Sequence, residues 1–230
     1  GCPHRASFYA VKQAMKGQKA VFCGDIGCYT LGNAMPLDMV DTCLCMGAGI
    51  TMAQGIRRAA PGAKTFAFVG DSTFFASGIT GVVNAVYNET DMTLIVLDNS
   101  TTAMTGHQPH PGTGKTMMGD VTGKISIARV LEAVGVKHIA RVNPLHLEEA
   151  VAAVREAAAV KGVSAVLFES DKAMRVDAEK CVGCRRCIRE LGCPALELDG
   201  KKVRIEGPMC TGCTLCAQVC PTSAIGREKE

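Results

Sequence analysis

Aromatic side chains are scarce in this sequence: tryptophan is absent, and seven Phe and three Tyr are the only other large aromatic residues. Few platforms are therefore available for stacking nucleic-acid bases. The net charge of +3 is spread along the chain instead of forming a basic patch, which removes the usual electrostatic signature of nucleic-acid binding. We expect no nucleic-acid partner.

Long apolar runs are also missing. None approaches the roughly 20 residues that cross a bilayer, and the N-terminus lacks the basic segment, apolar stretch and cleavage site of a signal peptide. We therefore expect a cytoplasmic protein with no membrane partner. Because the first residue is Gly1 instead of Met, and residues 1–5 read like the interior of a motif, we also expect a fragment of a longer protein.

Cysteine, by contrast, is abundant. Thirteen cysteines in a small secreted protein would predict a disulfide scaffold, but eight of these lie between Cys181 and Cys220 at the spacing of metal ligands. That spacing indicates a reducing compartment. The 230 residues, 47% hydrophobic and 20% charged, are enough for one medium domain with a buried core and a small second domain.

Apolar periodicity predicts alternating strands and helices in the first 170 residues. Short apolar runs with the length of buried parallel strands lie at 20–23, 65–69, 93–97, 137–141 and 164–168. Helical spacing of apolar residues occurs over 49–60, 79–87, 125–134 and 145–160. Asn143 is the expected N-cap of the last helix, with Pro144 in its first turn. The alternation predicts a doubly wound α/β domain with a mostly parallel sheet over residues 1–170.

A polar stretch at 170–180 precedes a change of composition to Cys, Gly and Pro, so we place a small second domain of the α+β class over residues 171–230. Within it, 196–205 reads as two strands joined at Asp199 and Gly200, because both turn positions prefer positive φ. Two cysteine runs flank this hairpin as a repeat: Cys181-x2-Cys184-x2-Cys187-x5-Cys193-Pro194 and Cys210-x2-Cys213-x2-Cys216-x3-Cys220-Pro221.

The repeat has the pattern of a two-cluster ferredoxin, in which three close thiolates hold one cluster and the distant Cys before Pro ligates the other. By that rule one 4Fe-4S cluster is held by Cys181, Cys184, Cys187 and Cys220, and the second by Cys210, Cys213, Cys216 and Cys193. Structural zinc is the alternative, but zinc needs pairs of Cys-x2-Cys pairs instead of two triples each followed by Cys-Pro. The longer spacing before Cys193 indicates a small loop insertion.

Two polar segments, Gly70-Asp71-Ser72 and Asp98-Asn99, follow neighbouring predicted strands. Adjacent parallel-strand ends can bring a carboxylate and an amide oxygen to one Mg²⁺, which prefers such hard ligands and would hold a diphosphate. Gly70 would let the backbone approach, and the helix that follows would offer its N–H groups to the phosphate. An ordinary turn between strand and helix is the alternative reading of Gly-Asp.

The separation of these segments resembles that of the thiamine diphosphate motif, which usually reads Gly-Asp-Gly and ends in Asn-Asn. Ser72 and Asp98 are the departures from it. The resemblance implies that the Asp71 and Asn99 side chains and the Thr101 backbone carbonyl ligate Mg²⁺. Two further segments resemble cofactor-contacting parts of the 2-oxoacid:ferredoxin oxidoreductases, namely Gly24, Asp25, Ile26, Gly27 and Cys28 in one loop, and Met46 and Gly47 in the other.

Residues 106–112 resemble the indolepyruvate branch of this family, and the resemblance to its alpha subunit extends over nearly the whole chain. It implies oxidative decarboxylation of an arylpyruvate, such as indolepyruvate, to the acyl-CoA, with electrons passing through both clusters to ferredoxin. The implied partners are a 2-oxoacid, coenzyme A, ferredoxin and a beta subunit. The glutamate that activates the cofactor in this family belongs to a pyrimidine-binding domain, which we expect before Gly1 or on another chain.

Three histidines are candidates for catalysis. His4 resembles part of the family's active site. His107 and His110 could act in acid/base chemistry or contact substrate, because imidazole titrates near neutrality, or they could order a loop between prolines. Both roles stay open for His107, and the loop role is favoured for His110. We take His107 and His4 as catalytic candidates.

The rival functions are another 2-oxoacid:ferredoxin oxidoreductase, a non-oxidative thiamine decarboxylase with purely structural clusters, and a non-catalytic electron-transfer module.

Overall fold

The computed structural model describes residues 3–169, 174–206, 209, 210, 212 and 215–226. The chain divides into two units between Ser170 and Asp171. No helix in the described ranges combines the length and the apolarity needed to span a membrane.

A five-stranded parallel sheet forms the centre of the first unit. Its strands are β1 Ala20–Cys23, β2 Lys64–Gly70, β3 Met92–Asp98, β4 His138–Val142 and β5 Val163–Glu169, in the order β1-β2-β3-β5-β4. The central strands are buried on both faces, which is why they appear in the sequence as continuous apolar runs. The predicted doubly wound sheet is confirmed.

Helices cover both faces of this sheet. They are α1 Pro3–Ala14, α2 Ala48–Ala59, the single turn α3 Asp71–Thr73, α4 Ile79–Tyr87, α5 Ile127–Val134 and α6 Leu147–Ala159, with a π-helical turn at Phe74–Gly78 between α3 and α4. One apolar core contains Ile50, Val82 and Leu131 from α2, α4 and α5. The other contains Phe8 and Val154 from α1 and α6.

Two helix starts differ from the prediction. The N-cap of α6 is His146 instead of Asn143, because the Asn143 Oδ1 atom accepts the Leu145 N–H at 3.0 Å and forms a local turn before the helix. The start of α5 was placed two residues early, since Ser126 is its N-cap and accepts the Arg129 N–H at 3.3 Å. Helix α1 was not predicted.

The second unit has short elements around a small core. They are β6 Arg175–Val176, α7 Arg186–Leu191, β7 Leu196–Asp199, β8 Lys202–Ile205, α8 Leu215–Gln218 and β9 Ile225–Gly226. The predicted hairpin is present, but its turn was placed one residue early. Asp199 pairs with Lys202, so Gly200 and Lys201 form the turn, and Gly200 has the positive φ of 59°. β6 pairs with β9 in antiparallel fashion.

Candidate cofactor site and cysteine clusters

A cavity lies at the carboxyl ends of β2 and β3, where the sequence predicted a diphosphate site. Nine of the twelve residues predicted to bind cofactor line it: Ile26, Gly27, Cys28, Met46, Gly70, Asp71, Ser72, Asn99 and Thr101. The three others, Gly24, Asp25 and Gly47, are not among its lining residues. The fold therefore brings four segments of the chain, at 26–28, 46, 70–72 and 99–101, to one cavity.

Asp71 is the carboxylate at the base of this cavity and is only 3% exposed. Its Oδ1 atom accepts the Ser72 N–H at 2.8 Å, and its Oδ2 atom accepts the Asn99 N–H at 3.2 Å. Burial raises the pKa of Asp71, and the neighbouring His110 offsets only part of that effect. A cation beside this carboxylate would stabilise its charged form.

The segment after β3 supplies further oxygen atoms. The Asn99 Oδ1 atom accepts the Thr101 N–H at 3.2 Å, and Ser100, at a φ of 52°, donates its N–H to Asp98 Oδ1 at 2.8 Å. The Thr101 hydroxyl is buried without a hydrogen-bond partner among the described residues. Asp71, Asn99 and Thr101 thus line one cavity, and the carboxylate, amide and carbonyl oxygens that such residues carry are ligands that suit Mg²⁺.

The two histidines of the loop after β3 lie in different surroundings. His107 is exposed in the turn after β3, where its N–H donates to the Thr102 carbonyl at 3.0 Å, and it does not line the cavity. His110 is buried, with Nε2 only 3.2 Å from Asp71 Oδ2 but without the alignment of a hydrogen bond. Its Nδ1 atom accepts the Gly112 N–H at 3.2 Å. His110 therefore both orders a turn and approaches the proposed metal ligand.

His4 lies behind the cavity wall. It is 4% exposed, and its ring packs edge-on against Tyr29, with ring centroids 5.6 Å apart. Neither ring nitrogen has a hydrogen-bond partner in the described part of the chain. Burial lowers the pKa of His4 to about 4, against the opposing charge of Asp98. His4 is consequently neutral at physiological pH, and it is not among the residues that line the cavity. Tyr29, which does line the cavity, was not among the predicted residues.

The second unit gathers the cysteines of the first predicted cluster. Cys181, Cys184, Cys187 and Cys220 line one small cavity, although Cys220 is far from the others in sequence. Burial opposes ionisation of Cys220, but hydrogen bonds from Thr222, Ala224 and Ile225 outweigh it and lower the pKa of its thiol. Burial raises the pKa of Cys187. The arrangement matches the predicted exchange of the Cys-Pro ligand between the two runs.

The cysteines of the second predicted cluster are only partly described. Cys193, Cys210 and Cys216 border the apolar core of this unit, and Cys213 lies outside the described residues. The Cys210 sulfur accepts the N–H groups of Met174 and Gly212 at 3.3 and 3.4 Å. Among described residues, no three His, Cys, Asp or Glu side chains are arranged to hold a single metal ion.

Comparison with known protein families supports both units. Residues 25–168 match the model of the thiamine pyrophosphate enzyme C-terminal TPP binding domain. Residues 173–221 match the 4Fe-4S dicluster domain. The predictions of thiamine diphosphate and 4Fe-4S clusters as cofactors are confirmed by these matches.

Similar curated proteins match nearly the whole chain. Indolepyruvate oxidoreductase subunit IorA of Archaeoglobus fulgidus is 40% identical over 98% of this chain and 38% of its own length. Subunit IorA of Pyrococcus horikoshii is 41% identical over 100% of this chain and 40% of its own length. The chain thus spans about two fifths of the length of these relatives. The predicted resemblance to the indolepyruvate branch is confirmed.

A solved structure shares the fold. It is a 2-oxoglutarate:ferredoxin oxidoreductase from Magnetococcus marinus with 2-oxoglutarate, coenzyme A and succinyl-CoA bound. The TM-score is 0.63 at 20% identity, over 74% of this chain and 62% of the other.

Proposed function

Because the chain belongs to the thiamine pyrophosphate enzyme family, we propose that it is the diphosphate-binding and electron-transferring part of a 2-oxoacid:ferredoxin oxidoreductase. The observation that carries this proposal is the cavity formed by Asp71, Asn99 and Thr101 in a chain whose second unit has the cysteines of a two-cluster ferredoxin. The enzyme would oxidatively decarboxylate indolepyruvate to the acyl-CoA, in keeping with the names of its relatives.

We assign the metal to Asp71, Asn99 and the Thr101 carbonyl. Bound thiamine diphosphate supplies the electron sink for decarboxylation. The residues of this chain would hold the diphosphate through Mg²⁺, and Ile26, Met46 and Met104 give the cavity an apolar lining. Asp71 supplies the only carboxylate among these ligands, so the charge of the diphosphate is balanced mainly through it.

Two 4Fe-4S clusters take electrons one at a time, which suits a two-electron oxidation whose acceptor is ferredoxin. We assign them to the two cysteine sets of the sequence, with Cys193 and Cys220 exchanged between runs. These clusters and the cysteine content fit a reducing cytoplasm. The domain boundary lies between Ser170 and Asp171.

The partners proposed are coenzyme A, ferredoxin, a beta subunit and a pyrimidine-binding domain that supplies the activating glutamate. Glutamates of this chain such as Glu89, Glu132, Glu148 and Glu149 are exposed at helix ends or on helix surfaces, where a solvated role is expected. Residues 1–230 alone, loaded with cofactor and clusters, are therefore expected not to oxidise 2-oxoacids. Ferredoxin reduction by this chain with indolepyruvate and coenzyme A would contradict that expectation.

Cofactor analysis of the anaerobically purified protein tests the proposal. About eight iron and eight sulfide per chain are expected, together with Mg²⁺-dependent binding of thiamine diphosphate. Asp71→Ala should abolish that binding and leave the iron content unchanged, whereas the control Asp120→Ala, at an exposed loop carboxylate, should retain it.

Equal cofactor affinity in Asp71→Ala would show that Gly70-Asp71 is an ordinary turn. Stoichiometric zinc without acid-labile sulfide would refute the cluster assignment. Formation of acyl-CoA coupled to dye reduction would exclude a non-oxidative decarboxylase.

A further inference from the structure

Asp25 is a buried carboxylate whose two oxygen atoms both accept hydrogen bonds from other groups of the protein. It is 1% exposed, and its Oδ1 atom accepts the Gly47 N–H at 2.8 Å. Its Oδ2 atom accepts the Tyr29 hydroxyl at 2.9 Å and the Gly70 N–H at 3.4 Å. Three donors offset the loss of hydration that burial of this side chain costs. Asp25 therefore binds the chain at three places, although it does not line the cavity.

The three partners of Asp25 belong to three separate segments at the edge of the cavity. Tyr29 follows β1, Gly47 is the N-cap of α2, and Gly70 is the last residue of β2. Each segment contributes cavity-lining residues, among them Gly27, Met46 and Asp71. The Asp25 side chain thus connects the three segments of the cavity that come before the loop after β3.

Tyr29 completes the connection from the cavity side. Its hydroxyl also lies 3.3 Å from the Thr73 hydroxyl, at the far end of α3 from Asp71. A Cβ atom added to Gly70 would lie 2.5 Å from the Tyr29 hydroxyl oxygen, and one added to Gly27 would lie 2.5 Å from the ring. The two glycines are therefore required for the ring to pack against the backbone of both loops.

We propose that Asp25 and Tyr29 form a latch that positions the three loops around the diphosphate, so that Asp25 is a positioning residue and not a cofactor ligand. This inference rests on the proposed function. Without the latch, the loops would occupy the binding arrangement in only part of the molecules. The apparent Kd of the cofactor would rise by the inverse of that fraction.

The test compares Tyr29→Phe, Asp25→Asn and the double variant in the anaerobically purified protein. Tyr29→Phe removes the hydrogen bond from the Tyr29 hydroxyl to the Asp25 carboxylate. Asp25→Asn replaces one carboxylate oxygen by an amide N–H₂ group, which then faces a donor in place of an acceptor. Each change is expected to raise the Kd of thiamine diphosphate with Mg²⁺ about tenfold. The double variant should bind thiamine diphosphate with nearly the same affinity as either single variant, because both substitutions remove the same connection. Tyr87→Phe, at an 84% exposed tyrosine on α4, is the matched control and should bind like the wild type.

Hydrogen–deuterium exchange of the cofactor-free protein gives a second readout. The amide of Gly47 is expected to exchange at least several-fold faster in Asp25→Asn, since it loses a charged acceptor, while iron content and the amides of α6 stay unchanged. Thiamine diphosphate affinity equal to wild type in both single variants would overturn the latch. Additive losses of affinity in the double variant would also overturn it, because they would mean that Tyr29 contacts the cofactor independently of Asp25. A wild-type protein that bound no thiamine diphosphate would instead overturn the proposed function, and the latch with it.

Discussion

The contact between α2 and the end of β1 predicts opposite effects for the same substitution at two glycines of one helix. A Cβ atom at Gly49 would lie 2.5 Å from the Gly24 carbonyl oxygen and 3.1 Å from the Cys23 carbonyl oxygen, so backbone would have to move. Gly55 lies in the interior of α2 and has nothing within 4 Å of its added Cβ atom. Gly55→Ala should therefore stabilise the protein by about 0.5–1 kcal/mol through helix propensity alone.

Gly49 lies in the first turn of α2, so Gly49→Ala gains at most the same propensity, and it overpacks the interface with the loop after β1, which costs about 1–3 kcal/mol. A lower stability of Gly49→Ala than of the wild type therefore reports the close approach, and Gly55→Ala is the control for the helix term. Urea denaturation followed by far-UV circular dichroism should give a lower midpoint for Gly49→Ala than for Gly55→Ala, with the wild type between them or near the former. Thiamine diphosphate affinity should also fall only in Gly49→Ala. Equal midpoints for the two variants would refute the close packing of α2 on the cofactor loop.

Two further predictions concern ionisation and iron. Because burial holds the pKa of His4 near 4 in the folded protein and it is about 6.5 when unfolded, the contribution of His4 to stability is complete above pH 6.5 and is lost as the pH falls toward 4. The free energy of unfolding should drop by about 2 kcal/mol between pH 7 and 5 from this group, and His4→Phe should lack that part of the slope in denaturation series at the two pH values. Cys220→Ser should lower iron from about eight to about four per chain, whereas Cys43→Ser, at an exposed cysteine outside the clusters, should not; equal iron in both would remove Cys220 from the ligand set.

Much of the fold could be predicted because local pattern determines it. The strands β2 and β3 are buried on both faces except at Lys64 and Asp98, so their other residues are apolar or small, and polar residues follow at their carboxyl ends. The grouping of Cys220 with Cys181 also followed from spacing, because a cluster fixes which thiolates must converge.

The surroundings of several site residues depend on contacts distant in sequence and could not be predicted. Asp25 reaches Gly47 and Gly70, 22 and 45 residues away, and no local signal distinguishes such a carboxylate from a cofactor ligand. His110 and His107 lie in the same loop, and only its three-dimensional path decides which one faces Asp71. The start of α6 was misplaced because the turn at Asn143 competes locally with a helix N-cap. Tyr29 lies in no sequence motif that would identify it as a cavity residue.

The pairing of β6 with β9 has a consequence for the electron affinity of the first cluster. Asp177 donates its N–H to the Ala224 carbonyl at 2.7 Å, and this pairing directs the Ala224 N–H to the Cys220 sulfur at 3.3 Å. A reduced cluster carries one more negative charge than an oxidised one, so an N–H group aimed at a ligand sulfur stabilises the reduced form more and raises the reduction potential. In the cluster that we propose at Cys220, this pair of two-residue strands would therefore help to set how readily the cluster accepts an electron.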